Sequence, residues 1–105
     1  MLQKTEFIWF DGKLVPWDQA QVHVLAHGLH YGTGVFEGIR AYACPDGSSA
    51  VFRLPEHSKR LVNSAKILGI DMPYTADEIS KAIVETVVAN KLSEGYIRPL
   101  AFAGE

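Results

Sequence analysis

The chain has 105 residues, 48% of them hydrophobic and 21% charged, and a formal net charge of −2, the profile of one ordinary globular domain with room for a core. Its ten Lys and Arg form no run that would read as a stripe along a phosphate backbone, so nucleic acid is not an expected partner. No apolar stretch approaches the ~20 residues of a membrane span, "MLQKTEFIWF" lacks the features of a secretory signal, and the unpaired Cys44 fits a reducing, cytoplasmic setting.

In chain order, "FIWFDGKLVP" predicts two short strands around an Asp11-Gly12 turn, a strong hairpin signal. Next comes "HVLAHGLHYGTGVFEGIR", residues 23–40, with His23, His27 and His30 spaced so that a helix would bring them to one face. Three imidazoles so placed could bind zinc. Gly28 and Gly32 make the segment a poor continuous helix, however, and each histidine fits a hydrogen-bonded core or turn position equally well. "TGVFEGIRAYA" then alternates with period two: Val35, Glu37, Ile39 and Ala41 share one face, and Phe36, Gly38, Arg40 and Tyr42 the other. Pro45-Asp46-Gly47 turns the chain, and "SAVFRL" is expected to return antiparallel.

Leu54-Pro55 opens a helix with Leu61, Ala65 and Leu68 as its apolar stripe, and Gly69 supplies a left-handed stop. Thr75 with Glu78 forms a capping box for a second helix, in which Ile79, Ile83, Val87 and Asn90 recur at helical spacing. A final strand is expected from about Tyr96 to Phe102. Strands, two helices and a strand, joined by short connections, predict an α+β domain: an antiparallel sheet with two main helices packed on it.

Two arginines bear on function. Arg98 shares a strand face with Tyr96 and Leu100 and is expected to be largely buried. A buried guanidinium requires an anion, which its fork meets as a carboxylate or a phosphate; Glu37 or another glutamate would serve, and so would a ligand. Pro99 beside it removes a backbone donor, which points to an edge or an interrupted ladder. Gly38 within a strand marks either close approach by a ligand or backbone or a tight packing spot. Arg60, one helical turn after His57, reads as a solvated surface residue. The terminal "GYIRPLAFAGE" alternates like a strand and stops with no polar tail or covering helix, so the chain is expected to be a piece of a longer protein.

The segments "IWFDGKLVPWDQAQVHVLAHGLHYGTGVFEGIRAY", "VFRLPEHSKRLVNSAK" and "YIRPL" resemble the amino-terminal domain of branched-chain amino acid aminotransferases, fold-type IV pyridoxal-phosphate enzymes. "HxxRL" alone fits the wider family, including D-amino acid aminotransferases and aminodeoxychorismate lyases. "LHYGTGVFEGIR" followed by "YIRPL" favours the branched-chain branch. The resemblance implies that Arg60 binds the phosphate of pyridoxal 5'-phosphate and that Phe36, Gly38 and Tyr96 line the substrate pocket. Tyr31 would reach that pocket from a neighbouring subunit, so a homodimer or larger homo-oligomer is implied. Arg98 would meet the distal carboxylate of glutamate or 2-oxoglutarate. The histidines become structural, since the family uses no metal.

The implied activity is ping-pong transamination between branched-chain L-amino acids and 2-oxoglutarate, so the partners are small amino acids and 2-oxo acids. That chemistry needs a lysine that holds the cofactor covalently and moves the proton. Lys4, Lys13, Lys59, Lys66, Lys81 and Lys91 lie in terminal, turn or helix-surface settings, and none matches the family's catalytic position, which belongs to a carboxyl-terminal domain. No residue of this chain is therefore assigned a catalytic role, and residues 1–105, one amino-terminal domain, are expected to be inactive alone. A non-catalytic binding or oligomerisation domain that kept the fold is the reading from another class.

Overall fold

A computed structural model describes residues 4–104. Strands β1 (Phe7–Phe10) and β2 (Lys13–Pro16) pair antiparallel, Phe10 opposite Lys13. Asp11 and Gly12 both take positive φ, 52° and 97°, the left-handed pair that a two-residue hairpin needs to match strand twist. A 3-10 turn at Trp17–Gln19 follows. Helix α1 (His27–Tyr31) is short, as its two glycines suggested, and is held from outside. The amides of His27 and Gly28 donate to the carbonyls of Gly104 and Ala103, at 3.0 and 2.8 Å.

The run expected as one strand is divided into β3 (Gly34–Phe36) and β4 (Ile39–Ala43), and the final strand into β6 (Gly95–Ile97) and β7 (Leu100–Phe102). The register is the same on both sides of the break: Phe36 lies opposite Leu100 and Ile39 opposite Ile97. Gly38 is thus opposite Arg98, and Glu37 opposite Pro99. Pro99 has no N–H to give, so the ladder lapses there, and only the bond from the Glu37 amide to the Pro99 carbonyl bridges the gap, at 3.1 Å. Strand β5 (Ser49–Val51) completes the three-stranded order β5-β4-β6 and is shorter than "SAVFRL" suggested. Among the described residues the single expected sheet is therefore three small sheets, with every pairing antiparallel.

Helix α2 (Leu54–Leu68) has Pro55 in its first turn and ends at Gly69. Leu61 and Ala65 are buried as expected. Leu68 is instead exposed, and the stripe is continued upward by Ser58, whose hydroxyl meets that of Ser80 at 2.7 Å. Helix α3 (Ala76–Ala89) carries the capping box in full, with both reciprocal bonds between Thr75 and Glu78. Asn90 leaves the apolar stripe and ties the hairpin down: its side-chain amide donates to the Phe7 carbonyl at 3.0 Å and accepts from the Phe7 amide at 2.8 Å. Ile39, Leu61, Ile79 and Ile83 form the core between the β3–β4 run and the helix pair, flanked by Val35, Val51, Leu54, Val62 and Ile97.

Candidate functional site

The alternation read from "GVFEGIRA" places residues on two faces with different surroundings. On the core face, Glu37 is 6% exposed among Ile39 and Ala41, an acid in an apolar series. Burial of an unpaired carboxylate is costly, so a partner is required. Helix α2 supplies two, because residues three apart share a helix face. His57 places Nδ1 2.8 Å from Glu37 Oε1. Arg60 meets the same carboxylate side-on, with Nη2 2.7 Å from Oε1 and Nε 2.9 and 3.0 Å from Oε1 and Oε2. An ionised carboxylate only accepts, so His57 carries a proton on Nδ1. The bonds from Arg60 outweigh the opposing effect of burial, and with His57 they hold the Glu37 carboxyl below its ordinary value near 4.5. The Glu37 bonds likewise raise the Arg60 pKa.

Arg60 is thus no free surface residue. Its Nε–Nη2 edge is committed to Glu37, yet its side chain remains 67% exposed, and Nη1 has no protein partner among the described residues. Sequence reasoning missed this cluster by offering Glu37 to the wrong arginine. The available signals were an acid on the buried face of an alternating strand and a His-x-x-Arg pair on one helix face.

On the opposite face the ladder break gathers Phe36, Gly38, Tyr96 and Arg98. Arg98 is exposed, which corrects the expectation of burial: the face it shares with Tyr96 and Leu100 is uncovered in this chain. Its guanidinium lies over the Phe36 ring, Cζ 4.3 Å from the centroid, and 5.5 Å from that of Tyr96. Arg98 Nη2 donates to the Tyr96 hydroxyl at 2.9 Å. Gly38 is needed for close approach: a Cβ there would collide with the Tyr96 hydroxyl and come within 3.2 Å of Cζ. The result is a cation on an aromatic platform, a surface that offers both charge and apolar area.

Tyr31 is not part of this group. It stands on α1, 75% exposed, with its ring packed against His27 and His30 at 4.5 and 6.2 Å. Each histidine of the 23–40 segment has a local partner: His23 Nδ1 accepts from the Leu25 amide, His30 Nε2 lies 2.7 Å from the Val24 carbonyl, and His27 Nδ1 2.9 Å from the Thr33 hydroxyl. Among the described residues no His, Cys, Asp or Glu group of three or more is placed to hold a metal ion, and no helix is long and apolar enough to cross a membrane.

Comparison with known proteins gives a consistent result. The amino-transferase class IV family matches residues 34–105. The branched-chain-amino-acid aminotransferase of Pseudomonas aeruginosa is 50% identical over 104 residues, 99% of this chain and 34% of that protein. The Escherichia coli enzyme of the same name is 47% identical over 103 residues, 98% of this chain and 33% of its own length. In structure, the E. coli branched-chain amino acid aminotransferase superposes with a TM-score of 0.93 at 46% identity, covering 97% of this chain and 33% of that one. The Thermobaculum terrenum enzyme in its PLP form gives 0.87 at 34% identity, over 96% and 34%. This chain spans about a third of the length of the relatives it matches, and their antiparallel α+β architecture over that third is the one described above. On the family match and these identities together, the chain belongs to the class IV aminotransferases.

Proposed function

We propose that this chain is the amino-terminal domain of a branched-chain amino acid aminotransferase. In this reading the whole protein transfers the amino group between branched-chain L-amino acids and 2-oxoglutarate with pyridoxal 5'-phosphate. The catalytic lysine belongs to a carboxyl-terminal domain, and residues 1–105 build one wall of the site. The observation that carries the reading is the Phe36–Gly38–Tyr96–Arg98 group. An enzyme using both partners must receive aliphatic and carboxylate side chains in one pocket. Phe36 and the Tyr96 ring suit the first, and Arg98, held by nothing stronger than a phenol and two ring faces, suits the second. Tyr31, exposed on α1, would complete the pocket of a neighbouring subunit in a homo-oligomer.

The residues also fit the cofactor's phosphate. Arg60 is a fixed guanidinium with its outer edge free, the donor geometry an anionic oxygen requires. When bound, pyridoxal 5'-phosphate supplies the electron sink that lets the amino acid lose its Cα proton. The chain's own part is to bind and orient: Arg60 fixes one end of the cofactor, and Arg98 with the aromatic group selects the side chain. A cytoplasmic location accords with the free Cys44.

The test is a transamination assay on the full-length protein, offering L-leucine or D-alanine with 2-oxoglutarate, with residues 1–105 as a control. Leucine turnover by the long form alone supports the proposal. D-Alanine turnover moves the protein to the D-amino acid branch, and no turnover with either leaves a lyase or a binding domain.

A further inference from the structure

The proposed function gives Arg60 the phosphate and leaves two neighbours unused. Glu37 is almost fully buried, lies at the ladder break, and accepts every side-chain bond that Arg60 makes to protein among the described residues. His57 is part-buried, one helical turn before Arg60, and donates to the Oε1 that also accepts from Arg60 Nη2. The Glu37 backbone is tied as well, since its amide donates to the Pro99 carbonyl. A long arginine side chain that is mostly exposed would otherwise sample many rotamers, and ordering it on binding would weaken its grip on an anion.

We propose that Glu37 and His57 are positioning residues, which hold the Arg60 guanidinium side-on so that its free Nη1 edge is presented to the cofactor's phosphate. Glu37 fixes the plane of the guanidinium through two parallel contacts. His57 in turn fixes Glu37, so the carboxylate cannot rotate to release Nε. The inference rests on the assignment of Arg60 to the phosphate, and it adds two residues that act only through Arg60. A buried acid beside the phosphate-binding arginine runs against simple charge complementarity with an anionic ligand, and the side-on geometry explains why it is tolerated: the negative charge lies behind the guanidinium, away from the free edge.

The experiment measures dissociation constants for pyridoxal 5'-phosphate and for pyridoxal, which lacks the phosphate, by absorbance titration of the full-length protein stripped of cofactor. The variants are Arg60→Lys, Glu37→Gln, His57→Leu and His57→Asn, with folding checked by circular dichroism. Loss of an orienting partner is expected to weaken pyridoxal 5'-phosphate ~10–100-fold in Glu37→Gln, by analogy with the residues that orient metal ligands. Pyridoxal binding should change by less than about threefold, because the phosphate contact is the one disturbed. His57→Leu should show a smaller selective loss, and His57→Asn, which keeps a donor, should recover much of it.

Equal weakening of both ligands would make Glu37 merely structural and overturn the proposal. A selective loss in Arg60→Lys without one in Glu37→Gln would keep Arg60 at the phosphate and overturn the positioning role. No selective loss in Arg60→Lys would sink the phosphate assignment itself, and the proposal with it. Should Glu37→Gln fail to fold, the His57→Leu and His57→Asn pair decides alone: the same selectivity in both overturns the proposal.

Discussion

Gly38→Ala isolates the ladder break from the rest of the fold. Gly38 does not take a positive φ, so alanine meets no backbone penalty. The obstacle is one side chain: the new Cβ would strike the Tyr96 hydroxyl and lie 3.2 and 3.3 Å from two ring carbons. Tyr96 is 53% exposed, so its ring can swing outward without moving the strand. Doing so gives up the bond from Arg98 Nη2, worth about 0.5–1.5 kcal/mol. It also gives up a ring–guanidinium contact worth about 0.5–1 kcal/mol at an exposed site. Against this, alanine restricts the unfolded chain and returns about 0.4–1 kcal/mol. The net cost is therefore about 0–2 kcal/mol, small because the ring yields.

The sign should depend on Tyr96. In a Tyr96→Ala background nothing remains for the new Cβ to strike, and Gly38→Ala should stabilise by the unfolded-state contribution, about 0.4–1 kcal/mol. The coupling between the two positions is thus about 1–2.5 kcal/mol, the sum of the two contacts given up, readable by a double-mutant cycle. Urea unfolding at fixed protein concentration provides the assay, followed through Trp9, whose ring packs edge-on against Tyr74 at 5.3 Å. A Gly38→Ala cost that is the same with and without Tyr96 would refute the reasoning and shift the constraint to the backbone.

Three further outcomes are expected. Because the Glu37 carboxyl is held below its ordinary value near 4.5, chiefly by Arg60, its contribution to stability is complete above that pH and is lost as pH falls through the folded value; Arg60→Ala should flatten the acid limb of urea midpoint against pH, and an unchanged limb would count against the pairing. Asn90→Ala removes both side-chain bonds to Phe7 and should cost about 1–3 kcal/mol, with faster hydrogen exchange at the Phe7 amide; unchanged exchange there would show that the tie is dispensable. The isolated chain leaves Val24, Leu25, Leu29 and Tyr31 exposed around α1, so it should self-associate in sedimentation velocity as concentration rises, and a single monomeric boundary throughout would argue otherwise.

Elements whose ends carry local chemistry were legible in the sequence. Asp11-Gly12, Thr75 with Glu78, and Gly69 each mark a boundary through their own backbone or side-chain bonds, and each acts in the structure as read. The period-two faces of residues 35–42 were legible too, because alternation is geometric. The interruption at Glu37-Gly38 was not, although Pro99 hinted at it: a ladder lapses according to what lies opposite, which only the register reveals. Leu68 fails as a core residue for a similar reason, since helical spacing gives the face but not the depth of cover at the last turn.

The two arginines show how far residue type falls short of role. Sequence context made Arg98 the buried one and Arg60 the solvated one; both are exposed, and what separates them is the partner each meets. Arg60 faces a carboxylate that the core has already desolvated, so its strong bonds cost little further dehydration, and its position is fixed before any ligand arrives. Among the described residues the Arg98 side chain has only a phenol and two ring faces, contacts worth about 1 kcal/mol each at an exposed site, so it can leave them cheaply. A fixed cation suits an anion that stays through every turnover, as the cofactor's phosphate would. A weakly held cation suits a pocket that must expose charge to one substrate and apolar surface to the next. In the proposed enzyme both demands would meet at one ribbon: Glu37 turns inward to hold Arg60, while Phe36 and Gly38 on either side of it turn outward toward Arg98.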